Sequence, residues 1–208
     1  MMARSGDNIN RNSAKRRERI LDAAVRRFAR RGYEGTRIAD IAKDAGMTDA
    51  GLIHHFPSKE KLFLAVIDCR EEVYAPVTGT FDSVAEFLHA LIASVKAACA
   101  EPEYLRFRAM LSGAGMIENN PATAHLEGRL RLAVERLVPV FDEGIKRGEL
   151  LPDQQPLAMV LHILALNDGL RAQWGQAPDL IEYAGTFETS IAAAYRAFSR
   201  RTLPPARG

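Results

Sequence analysis

The stretch "IAKDAGMTDAGLIHHFPSKE", residues 41–60, sets two glycines, a histidine pair and a proline between runs of helical character. Ile38, Ile41, Ala42 and Ala45 recur on one face of a two-turn helix, and Gly46 interrupts it. Thr48 is a good N-cap for a second short helix that reaches His55, and Pro57 ends it. Two short helices joined by a tight glycine-containing turn fit the helix-turn-helix unit, whose second helix lies in the DNA major groove. Each position has a steric reason. Ala42 is small where the helices cross, Gly46 supplies the turn, and Leu52 packs the second helix back onto the first.

Other chemistries for this stretch are weighed by the same residues. His54 and His55 are chain neighbours, so on a helix they point about 100° apart, and no His or Cys stands four residues on, which argues against a metal pair. Facing a groove, one imidazole reaches a base edge or phosphate while the other lies against the backbone; packing of one under Phe56 is the alternative. Gly51 inside a helix costs about 1 kcal/mol relative to Ala. Either close approach of backbone to DNA or local flexibility accounts for it. The Thr48 hydroxyl can cap the helix or meet a phosphate, and the helix N-terminus attracts phosphate.

Working outward, the spacing predicts a first helix from about Ser13 to Arg31, with Ile20, Leu21, Ala24 and Phe28 on one side and seven arginines from Arg16 to Arg31 over the rest. Gly32 sits where a C-terminal stop belongs. Ser58 caps another helix carrying Leu62, Ala65, Val66 and Cys69. Further helices are predicted at about 83–100, 103–113, 122–147, 156–174 and 179–200, punctuated by Pro, Gly and Asn. No segment alternates with β-branched enrichment, so the chain reads as all-α without internal repeats. Residues 1–12 and 202–208 are expected to be flexible tails, the first because so polar a segment cannot offset the entropy of ordering.

Charge separates the two halves. Residues 1–70 hold 15 Lys+Arg against 9 Asp+Glu, net +6, and the remainder holds 13 against 17, net −4. A basic front suits a polyanion, either nucleic acid or an anionic membrane. The apolar side of the first helix is narrow and better used in packing on the turn motif than in a membrane surface. The 208 residues are enough to bury a core, since chains of this size remove roughly 70% of their unfolded surface on folding. Two cysteines thirty residues apart make neither a disulfide framework nor a metal site. With a polar start and no apolar run of about 20 residues, a cytoplasmic location is expected, without membrane association.

At this point the residues carry a family likeness. "RERILDAAVRRFARRGYEGTRIADIAKDAGMTDAGLIHHFPSKEKLFLAVI", residues 17–67, resembles the N-terminal domain of TetR-family transcriptional regulators. It matches at Ile20, Ala23, Ala24, Phe28, Gly32-Tyr33, Thr36, Ile41-Ala42, Ala45-Gly46, Leu52, Phe56 and Ser58-Lys59-Glu60. The resemblance implies a DNA-binding domain at 13–62, with its helix-turn-helix at about 37–56, and a helical ligand-binding and dimerisation domain at 63–201. It implies that Thr36, Thr48, His55 and Lys59 hold phosphates, while Asp49, Ala50, Gly51 and His54 face bases. Two positions depart from the family pattern: Ile53 stands where Tyr is usual, and Arg37 where a small hydroxyl residue is usual. Ile53 then meets a thymine methyl or packs inward, and Arg37 pairs with a phosphate in place of a cap.

The back half implies a sensor. By the resemblance it forms a homodimer through its last two helices around a pocket for a small-molecule effector, and the protein acts as a repressor on an inverted-repeat operator. Independently, "LAMVLHILALNDGL", residues 157–170, is apolar on nearly every face, which requires burial against other helices or a partner. Tyr183, Phe187, Ile191, Ala194, Tyr195 and Phe198 make a stripe for a dimer interface or an internal core. Candidate pocket residues are Phe107, Met110 and Met116 from "YLRFRAMLSGAGM", the polar His162, Asn167 and Asp168, and Trp174. From "PEYLRF" through "GELLPD" to "LNDGLRAQW" the chain more loosely resembles the betaine-pathway branch of the family.

The chain lacks a glycine-rich phosphate loop, a GxSxG elbow, an HExxH pair and any Cys/His cluster, so no cofactor or metal is expected and a small all-α enzyme is the weaker alternative. An architectural DNA-binding protein without an effector is the other, and some 130 additional helical residues argue against it.

Overall fold

The computed structural model describes residues 4–74, 79–114 and 119–206, which form nine helices with no strand among them. They are α1 (Arg4–Arg31), α2 (Ile38–Asp44), α3 (Asp49–His55), α4 (Lys59–Tyr74), α5 (Val84–Ala98), α6 (Pro102–Ala114), α7 (Ala122–Lys146), α8 (Pro156–Gln176) and α9 (Tyr183–Ser199). The first helix starts at Arg4 rather than near Ser13, so most of the segment read as a tail has helical backbone. Once the Ile20–Phe28 face nucleates the helix, extending it toward the N-terminus costs little, because propagation is far cheaper than nucleation.

Glycine chemistry sets the turn between α2 and α3. Gly46 has φ +68°, a left-handed conformation that a side chain disfavours. There the Gly46 N–H donates to the Lys43 carbonyl at 3.1 Å and the Met47 N–H to the Ala42 carbonyl at 3.0 Å, closing the helix end with the paired bonds of a Schellman motif. The chain thus leaves α2 at an angle that returns Leu52, fully buried, onto Ile41 and Ala42.

Two cores result. The front one gathers Ile20, Ala24, Phe28, Ile41, Leu52, Phe56 and Leu62. It does not stop at residue 62, because Phe63, Val66 and Ile67 belong to it, as do Tyr104, Phe107 and Leu111 of α6 and Ala122 of α7. The back core joins α5, α7, α8 and α9 around residues such as Phe87, Leu91, Phe141, Ile163 and Phe187. Helix α6 therefore lies between the halves, packed on α1 on one side and α8 on the other. The second crossing is close: a Cβ at Gly175 would come within 2.8 Å of Ala109 Cβ.

The aromatic stripe of α9 is buried within this back core, from Tyr183 to Phe198, so the internal-core alternative describes it. Helix α8 divides its apolar residues differently. Met159, Val160 and Ile163 face the core, while Leu157 and Leu161 are 48% and 41% exposed beside exposed Ala158 and Ala165.

An ion pair ties α1 to α2: Arg27 donates Nε to Asp44 Oδ2 at 2.6 Å and Nη2 to Oδ1 at 2.8 Å. This hydrogen bonding holds the Asp44 carboxyl below its usual range. The folded protein thus binds that proton less readily than the unfolded chain. The pair's contribution is present above the unfolded carboxylate pKa of about 4 and disappears as pH falls through the lowered folded value. Both side chains are about a third exposed, so the contribution is small. In urea melts across acid pH, Asp44→Asn is expected to flatten the acid limb slightly; a limb identical to wild type would count against the pair.

Candidate nucleic-acid interface and a second-domain cleft

Helix α3 is short and held by its ends. Thr48 caps it, its hydroxyl accepting the Gly51 N–H at 3.2 Å, and Leu52 anchors its inner face. A Cβ on residue 51 would stand 3.2 Å from that hydroxyl, so the bare glycine relieves crowding at the cap itself. The remaining face is open: Asp49, Ala50, Ile53 and His54 are exposed, and Gly51 and His55 partly so. Ile53 is 46% exposed, so of its two readings the outward one describes it. The His54 and His55 rings meet edge-on with centroids 5.7 Å apart. Among the described residues no cluster of three or more His, Cys, Asp or Glu side chains could hold a metal.

The expected phosphate contacts fare unequally. Arg37 is exposed at the N-cap position of α2 without a side-chain cap bond, which leaves its guanidinium directed to solvent. Thr36 is corrected: it is only 2% exposed, and its hydroxyl donates to the Gly32 carbonyl at 2.7 Å, closing the end of α1 instead of facing outward. Lys59 Nζ donates to the Tyr33 carbonyl at 3.0 Å and lies 4.2 Å from the centre of the Tyr33 ring, bridging the start of α4 to the loop after α1. Along α1, Lys15, Arg16 and Arg19 are exposed, while Arg17 sits 4.4 Å from the centre of the Phe56 ring, at the end of α3.

The candidate pocket residues that are described take different places in the fold. Phe107 is fully buried in the front core, its ring edge-on to Phe63 at 5.9 Å, and Met110 packs against the same core. Both fill the junction between halves, as their even apolar spacing on α6 allows. Met116 lies outside the described residues. His162 is exposed on α8 with its ring 5.6 Å from Phe198. Asp168 is exposed too, and pairs with Arg171. Asn167 Oδ1 accepts the Tyr183 hydroxyl at 2.5 Å.

Trp174 lines a cleft. It opens between the ends of α5, α6 and α8 and the α8–α9 connection, with a volume of about 350 Å³, and is walled by Cys99, Pro102, Leu105, Pro178, Asp179, Ile181, Glu182 and Tyr183 besides Trp174. Burial pushes the Tyr183 hydroxyl up to about 12 and raises the Cys99 thiol as well. The sequence reading missed the eight partners of Trp174 because they come from two stretches far apart in the chain, residues 99–105 and 178–183. The signal available was a lone tryptophan followed by a proline-bounded turn. Arg171 was also missed; it is 6% exposed, and its Nε lacks a hydrogen-bond partner.

Comparison with known proteins places these features among relatives. Residues 20–66 match the family model described as bacterial regulatory proteins, tetR family. The chain is 27% identical over 170 residues to YfiR, an HTH-type transcriptional regulator of Bacillus subtilis, covering 75% of this chain and 78% of that one. It is 28% identical over 167 residues to the HTH-type transcriptional regulator RutR of Escherichia coli, covering 72% and 71%. Among solved structures, a TetR-family regulator from Agrobacterium tumefaciens is similar with a TM-score of 0.71 at 21% identity, over 90% of this chain and 99% of that one. NalD, the secondary repressor of the MexAB-OprM efflux pump in Pseudomonas aeruginosa, is similar with a TM-score of 0.69 at 22% identity, over 91% and 98%. At these identities the structural likeness shows the fold.

Proposed function

Taking the chain as a TetR-family transcriptional regulator, we propose that it binds an inverted-repeat operator as a homodimer, represses from it in the cytoplasm, and is controlled by a small-molecule effector. The observation that carries this reading is α3: a capped helix with Asp49, Ala50, Ile53 and His54 on its open face, in a half of the chain that also exposes Lys15, Arg16, Arg19 and Arg37. Such a helix enters a major groove, and surrounding cations fix its register on phosphates. Purified protein incubated with fragments of its source genome at roughly 150 mM salt, where non-specific electrostatic binding is weak, is expected to retain an inverted repeat near few promoters. Retention of unselected fragments would overturn sequence-specific regulation.

Lys59 separates positioning from reading. Lys59→Ala is expected to weaken binding to all sequences alike and to reduce the salt slope by about one unit per half-site. A weaker complex with an unchanged slope would mean that Lys59 only fastens Tyr33, and a changed base preference would contradict a phosphate role.

Dimerisation is supported by the outer face of α8, where Leu157 and Leu161 expose apolar surface that the described residues leave uncovered. Leu161→Glu is expected to convert the dimer to monomer at micromolar concentration in sedimentation, and to abolish operator binding with it. A dimer unaffected by Leu161→Glu would move the interface elsewhere.

Effector control is supported by α6. Its Pro102 and Leu105 line the cleft, its Glu103 accepts Arg30 of α1 at 2.8 Å, and its Phe107 packs on Phe63 of α4. A ligand that shifts α6 must shift the surface against which the DNA-reading helices are built.

A further inference from the structure

We infer that the cleft at Trp174 takes a small organic cation with an apolar body, an alkyl- or arylammonium in chemical class, whose charge sits at Asp179 and Glu182 and whose body lies against Trp174. This rests on the reading of the cleft as the effector site and adds its ligand chemistry. The formal charges on the cleft wall are the two carboxylates, and no Lys, Arg or His lines it. Glu182 is held in place, because its Oε2 accepts the Gly185 N–H at 2.7 Å as the cap of α9. Its negative charge reaches across to Cys99, adding to the rise of that thiol. The rest of the wall is apolar or aromatic: Pro102, Leu105, Ile181, the buried Tyr183 and the half-buried Trp174, and an aromatic face such as that of Trp174 attracts a cation where water is partly displaced.

The nearby guanidinium of Arg171 does not reverse this field. It is not among the residues that line the cleft, interacts with the Tyr183 hydroxyl and has Asp168 as its counter-ion. A volume of about 350 Å³ is at the small end of ligand sites, which restricts the body to one ring or a short branched chain.

Trp174 is the only tryptophan in the chain, so its fluorescence reports this cleft directly. The full-length protein would be titrated with benzylammonium, benzyl alcohol and benzoate, three probes of near-equal shape and different charge. Benzylammonium is expected to bind roughly tenfold tighter than benzyl alcohol, as two partly screened carboxylates and an aromatic face allow. The Asp179→Asn, Glu182→Gln double variant is expected to erase that difference, and added salt to reduce it. Equal binding of the cation and the alcohol overturns the proposal, as does silence to all three. Tighter binding of benzoate, lost in Arg171→Gln, overturns it in favour of an anionic ligand. Operator affinity is followed separately by anisotropy: a cation that fills the cleft without altering operator affinity keeps this inference and sinks the effector-site reading. Release of operator with no Trp174 response does the reverse.

Discussion

Phe107→Ala is expected to destabilise the chain by about 3–5 kcal/mol, the usual cost of emptying a fully buried phenylalanine site. Its ring has no exposure, stands edge-on to Phe63 at 5.9 Å and lies 6.5 Å from Tyr104. The cavity would open at the junction of α1, α4 and α6, where neither half can collapse into it without disturbing the other. Urea denaturation monitored by far-UV circular dichroism measures the loss. A double-mutant cycle with Phe63→Ala is expected to return about 0.5–1.5 kcal/mol of coupling beyond the burial itself. A cost below about 1 kcal/mol would mean that the seam is loosely packed and α6 a poor lever on the DNA-binding half.

The second large effect concerns recognition. His54→Ala is expected to lower discrimination at one base position by about 1–3 kcal/mol in each half-site, and both halves of a two-fold operator lose it together. His54 is exposed on the open face of α3, and its ring nitrogens can donate to or accept from a base edge. Competition between operators altered one base pair at a time measures it. Asp49→Ala is expected to act at a different position, toward the helix start. A uniform loss across all operators would remove both residues from base reading and leave them as phosphate or solvation contacts.

Local chemistry made the front half legible. Gly46 and Thr48 each dictate a backbone conformation by their own structure, and Leu52 needs only the adjacent helix to be buried. Thr36 was misjudged because a hydroxyl at the end of α1 can satisfy a carbonyl of its own turn as readily as it can face a phosphate, and only the fold decides. The back half resisted for a different reason. Phe107 and Trp174 lie on helices whose spacing marks both as inward-facing, yet one fills a core and the other borders a cleft. What separates them is which helices cross outside α6 and α8, and the Ala109–Gly175 approach that sets that crossing joins residues 66 positions apart in the chain. The α9 stripe was equally ambiguous, since an internal core and a subunit contact ask for the same apolar period.

The participation of α6 in the front core bears on how this protein can be rebuilt. A chimaera that grafts a foreign DNA-reading head at residue 62 would keep Tyr104, Phe107 and Leu111, which share a core with Ile20, Ala24 and Phe28 of α1, and present them to an unrelated first helix. A transplantable unit therefore comprises α1 to α4 together with the inward face of α6. A biosensor built on this scaffold inherits its switching behaviour only when those two discontinuous pieces are exchanged as one.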